Sequence, residues 1–222
     1  MKKDKATDAY DVGDNETALK GFRKLAEQGD AEAQLYLATL YKRGDLDNVK
    51  VDKVDYKEAL KWYRLAAEQG HEVAQWMLGL LYEYGEEDIE QDKEESAKWY
   101  RLAAEQGDVS GQNCLASMYQ SGEGITQDYK EAVKWYRLAA EQGDKYAQWR
   151  LGKMYEKGEG VEQDIVIAYM WYSIAMFSGD ELEAKCVEYD KNIVASKMTP
   201  EQILKARQLS RQHKGEYIKK SR

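Results

Sequence analysis

A nine-residue stretch, Trp-Tyr-Arg-Leu-Ala-Ala-Glu-Gln-Gly, stands at positions 62 to 70, 99 to 107 and 135 to 143 of this chain. Blurred copies occupy residues 21–29 and 171–179. The closing glycines therefore fall at 29, 70, 107, 143 and 179, at spacings of 41, 37, 36 and 36. A period in the thirties restricts the chain to a solenoid, because one such unit cannot bury its apolar face alone and stacked neighbours share a continuous core. The chain has a single proline and seventeen glycines spaced regularly enough to act as helix stops, so each unit is expected to be a helix pair. The expected fold is all-α, an α-solenoid of about six stacked antiparallel helix pairs.

Counting from the starting glycine of each unit, seven columns hardly change. Four residues in stand Ala33, Ala74, Gly111 and Ala147; eight in, Leu37, Leu78, Leu115 and Leu151; nine in, the small residues Ala38, Gly79, Ala116 and Gly152. Leu40, Leu81, Met118 and Met154 follow at eleven, and Tyr41, Tyr82, Tyr119 and Tyr155 at twelve. Gly44, Gly85, Gly122 and Gly158 at fifteen end the first helix. Positions four, eight, eleven, twelve and fifteen make one helical stripe that faces the core, and the small residue at nine admits a close neighbour. The seventh column, Gln34, Gln75, Gln112 and Gln148, places an amide where it could bond a neighbouring unit's backbone.

A loop then leads to Asp55, Asp92, Asp128 or Asp164, each placed to cap the second helix. These loops absorb the variation in period, being six steps long from Gly122 and Gly158, seven from Gly85 and eleven from Gly44. In the second helix Ala59, Ala132 and Ala168 (Ser96 is the exception), the Trp-Tyr pair and the small residues before Glu-Gln form the inward stripe, so Trp62, Trp99, Trp135 and Trp171 are read as structural. Ahead of the repeats, residues 4–12 and 15–28 are expected to pair, with Asp14 capping the second helix. Behind them, 181–196 reads as a helix of unmatched period. Thr199-Pro200-Glu201-Gln202 then opens a last helix running to about Lys214, whose Arg207, Gln208, Arg211 and Gln212 give it a solvated face. The expected division is thus an opening cap at 1–30, repeats at 31–70, 71–107, 108–143 and 144–179, and closing helices at 180–222.

Forty-one acidic and thirty-three basic residues leave a net charge of −8, which argues against nucleic acid or an anionic membrane as the main partner. No apolar run reaches the eighteen residues of a membrane span, so no membrane insertion is expected. Cys114 and Cys186 occupy the same place in units two apart. Two layers of about 8 to 10 Å each exceed the ~7 Å reach of a disulfide, and two reduced thiols are expected.

These columns resemble the Sel1-like repeat (SLR) family, a branch of the helical-repeat group that includes tetratricopeptide repeats. Alanine, Leu-Gly-x-x-Tyr, Gly-x-Gly-Val-x-x-Asp, alanine, Trp-Tyr, Ala-Ala and a closing glycine run almost whole from Ala147 to Gly179, and the resemblance covers about residues 14–179. The loops Gly122–Asp128 and Gly158–Asp164 lack the proline often found before their Gln-Asp. The resemblance implies a right-handed superhelix that acts as an adaptor, in bacterial signalling, envelope function or host interaction. The cysteine-rich branch of the family, linked to β-lactam binding, is set aside, because this chain has neither paired cysteines within repeats nor Ser-x-x-Lys. Ala9-Tyr10 and Gly13-Asp14 before Thr17-Ala18-Leu19 look like the mature start of exported relatives. A periplasmic or secreted site follows if a signal peptide was trimmed, a cytoplasmic one if Met1 is native.

Chemistry finds little support in the residues. His71 and His213 have no cysteine or serine at catalytic spacing, the acidic run Glu86 to Asp92 lacks the alternation of a calcium loop, and no phosphate-binding glycine loop occurs. No enzyme activity, cofactor or metal is expected. The variable columns at three, six, ten and thirteen form a second stripe on each first helix, which in a curved stack lines the concave face. That stripe supplies the candidate contacts: Leu35; Val73, Trp76 and Leu80; Asn113 and Gln120; Tyr146, Trp149 and Lys153. Aromatic clusters rimmed by polar groups mark interaction sites. Two readings stay open for Trp76 and Trp149: anchors of a groove that binds a protein or peptide, or packing between units. The function expected is a non-enzymatic scaffold, monomeric, binding a protein or peptide on its concave face. The alternative is a peptidoglycan-associated or small-molecule-binding envelope protein with weak hydrolase character, for which a pocket of converging titratable groups would speak.

Overall fold

The structure, a computed structural model, describes residues 3–44, 54–175 and 181–220, with side-chain surroundings between residues 5 and 213 apart from 181 and 182. The interior of the expected eleven-step loop and the last closing glycine, Gly179, lie outside the described residues. Among the described residues the chain is all-helical, and it forms two compact units, Met1–Gly111 and Gln112–Arg222.

The first unit holds α1 (Lys3–Asp11), α2 (Asn15–Glu27), α3 (Ala31–Arg43), α4 (Tyr56–Glu68), α5 (Glu72–Tyr84) and α6 (Lys93–Glu105), each packed against the next. Helix α7 (Val109–Ser121) starts at the boundary. The second unit continues with α8 (Tyr129–Glu141), α9 (Lys145–Lys157), α10 (Ile165–Ile174), α11 (Glu181–Ser196) and α12 (Pro200–Lys220). Here α8 packs on α9, α9 on α10, and both α11 and α12 on α10. The last helix runs on through Gly215 to Lys220 rather than stopping near Lys214.

Helix starts follow the aspartates. Carboxylate oxygens of Asp14, Asp55, Asp92, Asp128 and Asp164 accept backbone N–H bonds from the first turns of α2, α4, α6, α8 and α10, each satisfying donors a helix start leaves unpaired. Its bond from Thr17 holds the Asp14 carboxyl below its ordinary pKa. Thr199 and Gln202 bond reciprocally at the start of α12, side chain to backbone in both directions, the capping-box geometry. At the helix ends the repeated Gln-Gly turns the chain: Gly70 has φ 91°, and the N–H groups of Gly70 and His71 donate back to Ala67 and Ala66. A left-handed residue is needed there, and only glycine adopts it without strain.

The core columns are inside. Leu37, Leu78, Leu115, Leu151 and the second tyrosine-bearing column, Tyr63, Tyr100, Tyr136 and Tyr172, are fully buried. The buried glutamines form a ladder: Gln34, Gln75 and Gln148 donate to Ala26, Ala67 and Ala140 carbonyls of the preceding helix at 3.1 Å. Gln34, Gln75 and Gln112 then accept from Gln69, Gln106 and Gln142 at 2.7–2.9 Å. Both halves of the Gln34 and Gln75 amides are thereby satisfied, as burial requires. One column departs from expectation. Of the tyrosines at twelve only Tyr41 is buried, and Tyr82, Tyr119 and Tyr155 are half-exposed. The hydroxyls of Tyr41, Tyr82 and Tyr155 accept from Arg23, Arg64 and Arg137 of the preceding helix, a polar tip held at the surface above a packed ring.

The small column at nine sets how the fully buried tyrosine sits. A Cβ on Gly79 would meet the Tyr100 ring at 2.5 Å, and one on Gly152 the Tyr172 ring at 2.6 Å. In these glycine units the tyrosine hydroxyl donates to a glutamate at thirteen, Tyr100 to Glu83 at 2.6 Å and Tyr172 to Glu156 at 2.7 Å. Where Ala38 stands instead, the Tyr63 hydroxyl pairs with Thr39 at 3.1 Å. Each hydroxyl thus takes the polar neighbour its own unit offers, a glutamate at thirteen or a threonine at ten.

Candidate functional site

The stripe at three, six, ten and thirteen lies beside the core columns on each first helix, and its placement is reported unit by unit. In the first unit Leu35, Val73, Trp76 and Leu80 are each half-buried. Leu35 packs against the core cluster. The Trp76 indole nitrogen is buried and has no hydrogen-bond partner among the described residues.

In the second unit the same stripe is cross-linked by polar bonds. Asn113 donates its amide to Asp144 at 3.0 Å, and that carboxylate also caps α9 through Ala147. Gln120 donates to Glu159 at 3.0 Å and accepts from Arg150 at 2.5 Å. Tyr146, 38% exposed, meets the Trp149 ring edge-on at 6.0 Å. Trp149 and Lys153 are both held by Asp190 of α11: the indole N–H donates to its carboxylate at 2.7 Å and the Lys153 ammonium pairs with it at 3.0 Å, while sitting 5.1 Å over the Trp149 ring. Trp149 also packs against the core formed by α10, α11 and α12. The two tryptophans of one column are therefore in different states, Trp149 satisfied by its own chain and Trp76 not.

Residues outside the expected set complete this face. The Arg150 guanidinium lies 5.8 Å from the Tyr136 ring centre and 5.7 Å from that of Tyr146. Among the described residues its Nε and the Asn113 carbonyl oxygen are buried without hydrogen-bond partners, and burial pushes the Tyr136 hydroxyl up to about 12 against the opposing effect of Arg150 and Ser117 beside it. Position seven carries Tyr36, Met77, Cys114 and Arg150; one charged residue in a column otherwise free of charge was the sequence signal for it.

The remaining chemistry-bearing groups do not converge. His71 opens α5, and His213 of α12 meets the Trp171 ring at 4.7 Å in the other unit. Among the described residues no group of three or more His, Cys, Asp or Glu is arranged to hold a metal. The acidic loop is folded on itself: Glu86 and Ile89 exchange backbone bonds at 2.9 Å, Ile89 is buried, and Asp88 pairs with Lys57 at 3.2 Å. Neither cysteine is in a disulfide. A depression of 370 Å³ is lined by α4 side chains alone, among them Lys57, Lys61 and Arg64, and another of 410 Å³ by Tyr155 and the loop before α10. Asp164 in the latter is committed to capping. No described helix is long and apolar enough to cross a membrane.

Stacked helix pairs with an invariant core and variable first-helix faces define an α-helical repeat protein. The Sel1 repeat pattern matches residues 31–71, 73–108, 109–144 and 145–175, and the chain belongs to the Sel1 repeat family. A Sel1 repeat protein from Oxalobacter formigenes is 34% identical, with a TM-score of 0.70 over 77% of this chain and 65% of that one. A protective antigen present in uropathogenic Escherichia coli strains, which displays an SLR fold, is 28% identical, with a TM-score of 0.56 over 90% of this chain. This chain spans 49% of that protein. No curated protein matches. Sel1 repeat proteins generally mediate protein–protein interaction and are generally scaffolds rather than enzymes.

Proposed function

We propose that this chain is a non-enzymatic adaptor that binds a protein or peptide through its first-helix faces. Val73, Trp76 and Leu80 of α5 form the contact in the first unit; Tyr146, backed by Trp149, forms it in the second. The observation that carries this reading is exposure at the column level. The core columns at four, eight, nine and eleven are buried, whereas the stripe from Leu35 to Lys153 stays half-buried or exposed while carrying aromatic and apolar side chains. Such rings at a polar rim are favoured anchors. Trp76 supports the reading further, since among the described residues its indole N–H has no acceptor.

The test is affinity capture from an extract of the source organism, with the intact chain against Trp76→Ala and Leu80→Gln variants checked to melt like the parent. The reading expects a defined protein captured by the parent and lost from both variants. Equal capture by folded variants overturns it.

A further inference from the structure

The two compact units differ sharply in charge. Residues 1–111 carry twenty-five acidic against sixteen basic side chains, a net of −9, whereas residues 112–222 carry sixteen against seventeen, a net of +1. The acidity of the whole chain therefore belongs to the first unit, and so does the tryptophan-bearing stripe of α5. Val73, Trp76, Leu80 and Tyr84 stand there at i, i+3, i+7 and i+11, on one side of the helix over about 16 Å. The first three are half-buried and Tyr84 is 68% exposed. Carboxylates stand at both ends of the stripe. Glu72 is exposed in the first turn, and Glu83 in the last turn accepts from the Tyr100 hydroxyl at 2.6 Å. Glu86 and Glu87 follow in the next loop, where burial and then these two charges hold the Tyr56 hydroxyl above its ordinary pKa. From 72 to 92 the chain has seven acidic residues and no lysine or arginine. The cations of neighbouring elements do little to neutralise them. Lys57 of α4 pairs with Asp88 at 3.2 Å in a well-exposed contact, and Arg43 at the end of α3 lies 5.7 Å over the Tyr10 ring. Lys42 is the single cation among Glu32, Leu35, Thr39 and Lys42, the stripe positions of α3.

We propose that the α5 stripe docks a basic amphipathic segment of another protein, a helix of about three turns with apolar side chains on Trp76 and Leu80 and lysine or arginine at its edges. The proposal rests on the adaptor reading and gives its partner a chemistry. Apolar contact with the stripe supplies the affinity, and Tyr84, the most exposed ring of the four, covers the segment's end. Glu72 at one end and Glu87 at the other fix which way a basic segment lies. The −9 of the unit draws such a segment in from a distance. An acidic segment of the same apolar pattern meets the same ring and leucine against that field, so the surface selects by charge as well as by shape. The corresponding stripe of the second unit lacks this bias: Tyr146 and Trp149 stand with Lys153, which Asp190 neutralises, in a unit close to neutral. A second copy of the chain offers no match, since its own units stand at −9 and +1.

The experiment is a selection from a phage-displayed random dodecapeptide library on the intact chain. Fluorescence anisotropy follows at about 50 and about 300 mM salt, with the enriched peptide and a copy in which glutamine replaces its lysines and arginines. Each is titrated against the parent, Leu80→Gln and the double variant Glu72→Gln/Glu87→Gln. The proposal expects enriched peptides with a net positive charge beside apolar residues. Leu80→Gln should lose about tenfold or more in affinity. The double variant and the glutamine peptide should each lose about three- to tenfold at the lower salt and much less at the higher. Both glutamates are exposed, so the double variant reads charge without disturbing the core, and matching melting curves exclude unfolding of Leu80→Gln as the cause. Enrichment of neutral or acidic peptides, no enrichment, or affinity indifferent to Leu80 or to the two glutamates overturns the proposal. A dimer in sedimentation that Leu80→Gln dissociates gives the stripe to a second copy and overturns it too. Peptides that need Leu80 but ignore charge remove the basic partner and leave the adaptor reading standing.

Discussion

Replacing His71 by aspartate should stabilise the protein. The residue before the first helix of a repeat is Asp30, Asp108 or Asp144 in the other three units, and each carboxylate accepts from the third helical N–H: Ala33 at 2.8 Å, Gly111 at 2.5 Å and Ala147 at 2.7 Å. His71 has the same extended backbone, φ −72° and ψ 110° against −67° and 111° at Asp30, but makes no side-chain capping bond. Its buried Nδ1 also lacks a partner among the described residues. Aspartate therefore needs no backbone change to gain a cap worth about 1 kcal/mol and a favourable charge at the helix start worth about 0.3–1 kcal/mol. The Glu72 carboxylate at the next position offsets a few tenths of this; burial, and after it the charge of Glu72, already raises the Asp108 carboxyl above its ordinary pKa. The net expectation is about 1–1.5 kcal/mol, or about 2–6 °C in Tm for a chain of this size. Thermal and urea unfolding followed by circular dichroism measure it. His71→Asn isolates the hydrogen bond from the charge and should recover most of the gain. An unchanged or lowered midpoint for both variants would refute the capping argument.

Gly152→Ala should destabilise by about 1–2 kcal/mol, because a methyl at 2.6 Å from the buried Tyr172 ring overpacks by more than alanine's helix propensity returns; urea midpoints check it. Asp190→Ala should cost about 1–3 kcal/mol by leaving the Trp149 N–H and the Lys153 ammonium without their shared acceptor, read by denaturation and by a change in tryptophan emission. Stability should fall between pH 10 and 12. Burial raises Tyr63 and Tyr136 to about 12 and, with Glu156 beside it, raises Tyr172 as well. The folded chain then holds these protons where the unfolded chain sheds them, so the contribution is whole below pH 10 and is lost as the pH climbs through the folded values. Unfolding midpoints measured across that range should show the decline.

The core was legible in the sequence because a helical repeat repeats its surroundings. A column that is leucine four times over has one environment, and Leu37 to Leu151 share it. The caps were legible for the same reason, each aspartate preceding a periodic run. What spacing could not give was the partner across a helix pair. Asn113 and Asp144 lie 31 positions apart, Trp149 and Asp190 41. Helix α11 matches no column, so nothing marked Asp190 as the residue that would hold two of the candidate contacts. Arg150 escaped notice because position seven falls between the core stripe and the open one, and only its place beside two tyrosine rings in space gives it meaning. The twelfth column showed the limit of reading a face from its periodicity. The hydroxyls of Tyr82 and Tyr155 accept from an arginine of the preceding helix, which leaves these residues half-exposed.

The measurement that tests the adaptor reading most directly is site-specific photo-crosslinking to the captured partner. A benzophenone side chain is placed at Leu80 or Tyr146 on the first helices, and in parallel at Leu102 or Leu138, which are 43% and 40% exposed on the second helices. The account predicts partner adducts from Leu80 and Tyr146 and none from Leu102 or Leu138; adducts confined to the second-helix leucines would contradict it.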